Sequence, residues 1–191
     1  MPTNFSASVT VDKGTEEFRM TLEGGDVKDL SVAPPPSPNP EHVPLTEVHR
    51  RGVMDPMSAS LIPVPGKGNL ISSEACQRTL AVFDGRMRYD LQLAYKRVDE
   101  IRADKGYSGS AVVCAVNFVP LAGHNPNRSA IKYLVNLREM EMWLAPIAGT
   151  RVVVPFRLSI PTSIGLGILH ATEFVSVAQP VRATAASSKS Q

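Results

Sequence analysis

The clearest pattern in the chain is a strict alternation of apolar and polar positions. Met87, Tyr89, Leu91, Leu93 and Tyr95 alternate with Arg86, Arg88, Asp90, Gln92 and Lys96. Period two over such a length predicts a long β-strand with one buried face. Val98, Glu100 and Arg102 suggest its continuation or a short partner. Similar patterns recur. Phe5, Ala7, Val9 and Val11 form one apolar row, and Phe18, Met20 and Leu22 form another. Turn residues Asp12-Lys13-Gly14 and Gly24-Gly25-Asp26 follow them, and a short strand spans Val27 to Val32. Met140, Met142 and Leu144 alternate with Glu139, Glu141 and Trp143, and Val152 to Ile160 alternates again. Pro155 inside that last run points to an edge strand or a bulge, because proline gives no backbone donor. Val112 to Phe118 is apolar on both faces, as a central strand should be. A final strand is expected from about Gly167 to Val177.

Helical signals are short. Asp55-Pro56 sets an N-cap before a proline at the first helical position, opening a helix to about Ile62. Ser72 and Ser73 cap a second, from Glu74 to about Leu80. Ile131, Leu134 and Val135 share one face of a third, from Ser129 to about Asn136. The fold class is therefore mainly β: an antiparallel curved sheet or partly closed barrel of seven or eight strands, with two or three short inserted helices.

Proline divides the chain. Residues 34–40, PPPSPNP, cannot form a helix or a central strand. We divide the chain into N-terminal strands at 1–33, a Pro-rich connector at 34–44 and a main β domain at 45–178. The first and third are expected to form one structural unit, because three strands alone lack a core. A polar tail at 179–191 is expected to be disordered.

Composition narrows the functional classes. The 191 residues fit one domain, and the net charge of +2 gives no footprint for a nucleic-acid partner. No apolar run is long enough for a transmembrane helix, and MPTNFSASVTVDKG lacks the pattern of a signal peptide.

Candidate chemistry is sparse. Cys76 and Cys114 admit one pairing, and three states stay open: a structural disulfide, two buried thiols, or a reactive pair. A bridge would require an oxidising compartment. His42, His49, His124 and His170 show no metal-ligand spacing, so no metal or other cofactor is expected. Glu47, His49, Arg50, Arg51, Asp55 and Ser58 form a polar cluster. A hydrolase would need its acid, histidine and serine to converge. The plainer reading is a loop of ion pairs with Asp55 as a helix cap; anion binding at that helix start is a third. Arg86, Arg88, Lys96 and Arg97 could form a basic stripe, but the aromatics lie on the opposite face, which favours a solvated surface. Met87, Tyr89, Leu91, Leu93, Tyr95, Met140, Met142 and Leu144 are either core or, where the sheet closes incompletely, the wall of a lipid-like ligand pocket.

The segments VPLTEVHRRGVMDPMSASLI, EACQRTLAVFDGRMRYDLQLAYKR, KGYSGSAVVCAVNFVPLAGH and MEMWLAPIAGTRVVVPFRLSIPTSIG resemble the bacterial domain of unknown function family 3108, in its alphaproteobacterial form. The resemblance runs from about Val43 to Phe174. It rests on Asp55-Pro56, the Cys76 to Leu80 block, the Phe83 to Leu91 block and Cys114. It implies an exported, periplasmic protein with an antiparallel β fold similar to lipocalin or lipoprotein-carrier half-barrels. Family members usually begin with a signal peptide and further strands, so a late or shortened start is expected here. No activity is implied. Three functions follow as alternatives: binding of an apolar or amphipathic envelope ligand, an envelope structural or protein-interaction module, or a hydrolase-type enzyme.

Overall fold

A computed structural model describes residues 2–11, 14–36, 39–162 and 164–177. Asp12 and Lys13 of the expected first turn, and the expected tail at 179–191, lie outside the described residues. The fold is mainly β, with a strongly curled antiparallel half-barrel sheet and two helices.

Strands β1 (Thr3–Val11), β2 (Gly14–Glu23) and β3 (Asp26–Ala33) form a small antiparallel sheet in that order. The β2 row found in the sequence is its buried face: Phe18, Met20 and Leu22 are all buried. Met20 and Leu22 pack with Val53 and Phe83, which ties this sheet to the rest of the chain. The backbone joins too, Val53 N–H donating to the Gly25 carbonyl at 2.7 Å. The connector is fixed near its end, where Val43 exchanges hydrogen bonds with His124 and Gly123 at 2.9 and 2.8 Å.

A 3-10 turn at Glu47–Arg50 precedes helix α1 (Pro56–Ser60) and strand β4 (Ile62–Pro63). Helix α1 starts where the Asp-Pro pair predicted. The Asp55 carboxylate accepts from the N–H groups of Met57 and Ser58, both at 2.9 Å, and from the Ser58 hydroxyl. The second expected helix is corrected. Only a 3-10 turn, Ser73–Ala75, forms, and strand β5 (Arg78–Phe83) follows at once. Pairing decides this: Leu80 lies opposite Leu91, and Val82 opposite Tyr89, so a strand buries the Leu80 and Val82 row that a short helix would splay.

The long alternating strand is β6 (Arg88–Arg102), one element with a bulge between Tyr95 and Arg97. Short β7 (Lys105–Gly106) leads to β8 (Ser108–Ala122). Helix α2 (Ser129–Asn136) matches its predicted bounds, and β9 (Glu141–Pro146) and β10 (Val152–Thr162) follow. After β10 comes β11 (Gly165–His170), and the main sheet runs β11-β10-β9-β8-β6-β5, with β4 also on β10. Strand β8 is thus central, as its two apolar faces required. Pro155 marks a bulge, as one of the two readings held, but β10 is not an edge: it pairs with β9 and with β11. The last expected strand is broken. After β11 the chain leaves β10 and forms β12 (Glu173–Phe174), parallel to β7. Phe174 then packs edge-on to both Tyr107 and Phe156. Among the described residues the seven or eight strands expected become twelve, three of them of two residues: β5 replaces the expected helix, β4 and β7 are short pieces outside the alternating runs, and the last run splits into β11 and β12.

The main core lies on one face of the sheet. Val112, Cys114, Leu144, Met142, Val153, Leu93 and Ile62 pack there beneath α1 and the segment leading to β5. Cys76 and Cys114 are fully buried with their Cα atoms 5.4 Å apart, in disulfide-compatible positions.

Candidate functional site

Curling the sheet brings its two ends, β5 and β11, around a common hollow. That hollow is an open cavity of about 620 Å³. One wall is Leu80 and Val82 of β5 with Tyr89 and Leu91 of β6; the other is Phe156 and Leu158 of β10 with Leu169 of β11. Met142 lies between them, and Pro56 and Ala59 of α1 close one side. The β5–β6 wall follows from period two, since alternate residues of a strand share a face; on β10 the bulge at Pro155/Arg157 breaks the alternation, and consecutive residues from Pro155 to Leu158 border the cavity. The volume is that of a small-molecule site. Tyr89 is its main polar wall group. Burial, and then the negative charge of Asp84, push the Tyr89 phenol up to about 12, so it stays un-ionised at neutral pH. Arg157 and His170 are the titratable residues beside it in the lining.

Of the eight residues proposed from sequence as ligand-facing, Tyr89, Leu91 and Met142 line the cavity. Leu93, Met140 and Leu144 are buried in the core instead. Met87 is held in the Asp84 turn, its N–H donating to Asp84 Oδ1 at 2.7 Å. Tyr95 is 45% exposed, beside the β6 bulge that ends the regular alternation. Leu80, Val82, Phe156, Leu158 and Leu169 were not anticipated as a wall. The alternation of Phe156 and Leu158 was visible in the sequence, but the fold-back that sets β10 and β11 facing β5 was not.

The polar cluster does not converge on a triad. His49 Nδ1 is used locally, 3.1 Å from Thr46 N, and Glu47 pairs with Arg50 at 3.1 Å. Ser58 donates to Asp55, which caps α1, and not to His49. Arg51 makes no ion pair among the described residues. Of the plainer reading, the Asp55 helix cap and the Glu47–Arg50 pair are present, while among the described residues Asp55 forms no ion pair with either arginine. Among the described residues no group of three His, Cys, Asp or Glu side chains is placed to hold a metal ion, and no helix is long and apolar enough to cross a membrane.

The basic stripe is internally neutralised. Arg86 pairs with Glu16, Arg88 with Asp90, and Lys96 with Glu141. Arg97 forks between Asp99 and Glu141. Asp99 also accepts from the Trp143 indole N–H at 2.8 Å. The Trp143 ring lies between two guanidinium groups, Arg97 at 5.5 Å and Arg157 at 4.7 Å from its centroid.

This network carries a pH signature. The hydrogen bond from Arg97, aided by Lys96 and opposed by burial, lowers the Glu141 carboxyl from 4.5 to about 2. A folded-state pKa below the unfolded one adds stability that is complete above about pH 4.5 and is lost as pH falls through 2. The partners are 40% and 42% exposed, so screening holds the contribution to about 1 kcal/mol. Urea unfolding from pH 6 to pH 2 should therefore show Glu141→Gln less stable at pH 6 and converging on the parent at pH 2. A constant gap across that range would refute the assignment.

A family described as "Protein of unknown function (DUF3108)" matches residues 1–172, a span that takes in β1–β3 as well as the half-barrel. No curated protein and no solved structure matches the chain.

Proposed function

Because this chain belongs to the DUF3108 family of proteins of unknown function, we propose its role from the geometry: a non-enzymatic module that binds an apolar or amphipathic ligand of the bacterial envelope. One observation carries the reading, the open apolar cavity of about 620 Å³ between the two ends of the curled sheet. An open cavity lined this way offers water few hydrogen-bond partners and gains free energy when apolar surface enters it, about 25 cal/mol for each Å² removed from water. The polar cluster supplies no nucleophile aimed at the cavity, which favours binding over hydrolysis. A periplasmic location is part of the proposal. The disulfide-compatible cysteines in the core support it, since such a bond persists in an oxidising compartment.

The test is native mass spectrometry of the protein purified from its own periplasm without detergent, followed by titration with a polarity-sensitive apolar dye. Expected are an added mass of lipid size and saturable one-to-one dye binding, reversed by organic extract of the envelope. A protein that carries no added mass and leaves the dye in water would overturn the reading.

A second reading, strand addition by an envelope protein, has one feature in its favour. Strand β11 is an edge with all six residues exposed, Leu166, Ile168 and Leu169 among them. Crosslinking in cells separates the two: a specific covalent partner at β11 in ligand-free protein favours strand addition, and its absence removes that reading.

A further inference from the structure

We infer that the cavity takes an uncharged single-chain amphiphile, an alcohol, ester or amide, and that the Tyr89 hydroxyl is the group that hydrogen-bonds its polar end. The inference rests on the cavity reading above and specifies the chemical class of the ligand.

Four of the residues bordering the cavity carry polar side-chain atoms: Ser60, Tyr89, Arg157 and His170. Three of these groups are already used or turned away. The Ser60 hydroxyl donates to the Met57 carbonyl at 2.6 Å. Arg157 lies opposite Trp143 in the β9–β10 register, and its guanidinium stacks on that indole, 4.7 Å from the centroid. Met142 and Leu144 pack in the main core, so Trp143 between them faces the other side of the sheet, with Ala111 and Val113. His170 stands directly opposite Arg157 across β10 and β11 and shares that far face. The guanidinium and the imidazole are thus separated from the apolar wall by the sheet itself.

Tyr89 is the exception. It lies opposite Val82, as Leu91 lies opposite Leu80, and all four belong to the main core face. Its ring rests against Phe118, the centroids 5.3 Å apart. Among the described residues its hydroxyl makes no hydrogen bond, and it is not one of the fully buried unpaired atoms, so it reaches open space. The open space bordering this residue is the cavity. Burial, and then the charge of Asp84, keep the phenol protonated, so it can donate as well as accept. An anion at this hydroxyl would meet the negative charge of Asp84 and no cation from the wall. A cation gains little there either: Asp84 stands outside the lining, and its Oδ1 already accepts from the N–H groups of Arg86 and Met87 at 2.8 and 2.7 Å. An unpaired charge in an apolar hollow costs far more than a hydroxyl, ester or amide that keeps one hydrogen bond. The volume of about 620 Å³ suits one chain.

The test uses the full chain and three probes with the same twelve-carbon saturated tail: dodecanol, dodecanoate and dodecylammonium. Each competes with the bound apolar dye at neutral pH and physiological salt. Each affinity is divided by the same probe's partition into micelles of an uncharged detergent, where a headgroup stays in water. On that scale dodecanol should exceed both ions by about tenfold or more. Tyr89→Phe keeps the ring that rests against Phe118 and removes only the hydroxyl. It should cut the advantage of dodecanol by about fivefold, the worth of one neutral hydrogen bond. Equal relative affinities for the three probes, a preference for either ion, or a dodecanol advantage unmoved by Tyr89→Phe overturns the inference and leaves the cavity reading standing. Displacement of the dye by none of the three overturns both.

Discussion

Reduction of the Cys76–Cys114 bond is expected to lower the unfolding temperature by roughly 8–16 °C. The two cysteines are separated by 38 residues. Opening a loop of that size returns conformational entropy to the unfolded chain worth about 4 kcal/mol. Each kcal/mol moves the midpoint of a chain of this length by roughly 2–4 °C. The segment concerned is also tied by Arg78, whose guanidinium donates to the carbonyls of Pro63 and Glu74 at 2.9 and 3.2 Å, and by Val64 and Ala75 in the core. Between β4 and β5 it is held by Arg151, whose guanidinium donates to the carbonyls of Val64, Pro65 and Gly68 at 3.0, 3.1 and 2.8 Å, and by the cysteine at its far end. Cys76 closes the Ser73–Ala75 turn two residues before β5 begins. Loss of the bond therefore frees the start of β5, which carries Leu80 and Val82 of the cavity wall. Reduction should also weaken dye binding at temperatures where the protein is still folded. The Cys76→Ala/Cys114→Ala double variant should reproduce both effects without reductant. Thermal unfolding with and without reductant measures the first. Intact mass after alkylation checks the bond itself: two labels should enter only after reduction. Two labels in the native, unreduced protein, with an unchanged midpoint, would show buried thiols instead.

What the sequence made legible follows from how each feature is encoded. A strand with one buried face writes itself into the chain at period two, so β2 and β6 could be read locally, and β9 and β10 keep enough of that alternation to be read as well. The cap of α1 is local as well, Asp55 and Pro56 being adjacent. Strand β5 was misread because Ser72 and Ser73 imitate a helix start, and the competing signal, the pairing of Leu80 with Leu91, comes from a different strand. The same limit governed the cavity. Tyr89, Leu91 and Met142 were identified from their own strands. Nothing in those strands says that Leu158 and Leu169 will face them, because that depends on the sheet order and on bulges at Tyr95/Arg97 and Pro155/Arg157. A bulge turns the residues beyond it relative to those before it. Tyr95, at the β6 bulge, is the cost of extending a face past such a point.

Leu158→Trp is expected to abolish most dye binding while leaving the fold intact. Leu158 sits between Met142 on β9 and Leu169 on β11, and all three border the cavity. An indole at this position has open space ahead of it, so it fills the hollow without forcing the core apart, the usual penalty of a larger side chain. Its N–H can remain toward the open side, in contact with water. Affinity for the apolar dye should fall at least about tenfold, equivalent to about 1.4 kcal/mol or more. The unfolding midpoint should stay within about 3 °C of the parent, less than 1–2 kcal/mol of stability. Leu166→Trp is the matching control. It lies on β11 but outside the cavity lining, is 58% exposed, and should leave affinity unchanged. If Leu158→Trp folds normally and binds dye as the parent does, the dye occupies another place on the molecule. If both variants lose binding equally, the edge of β11, and not the hollow behind it, holds the ligand.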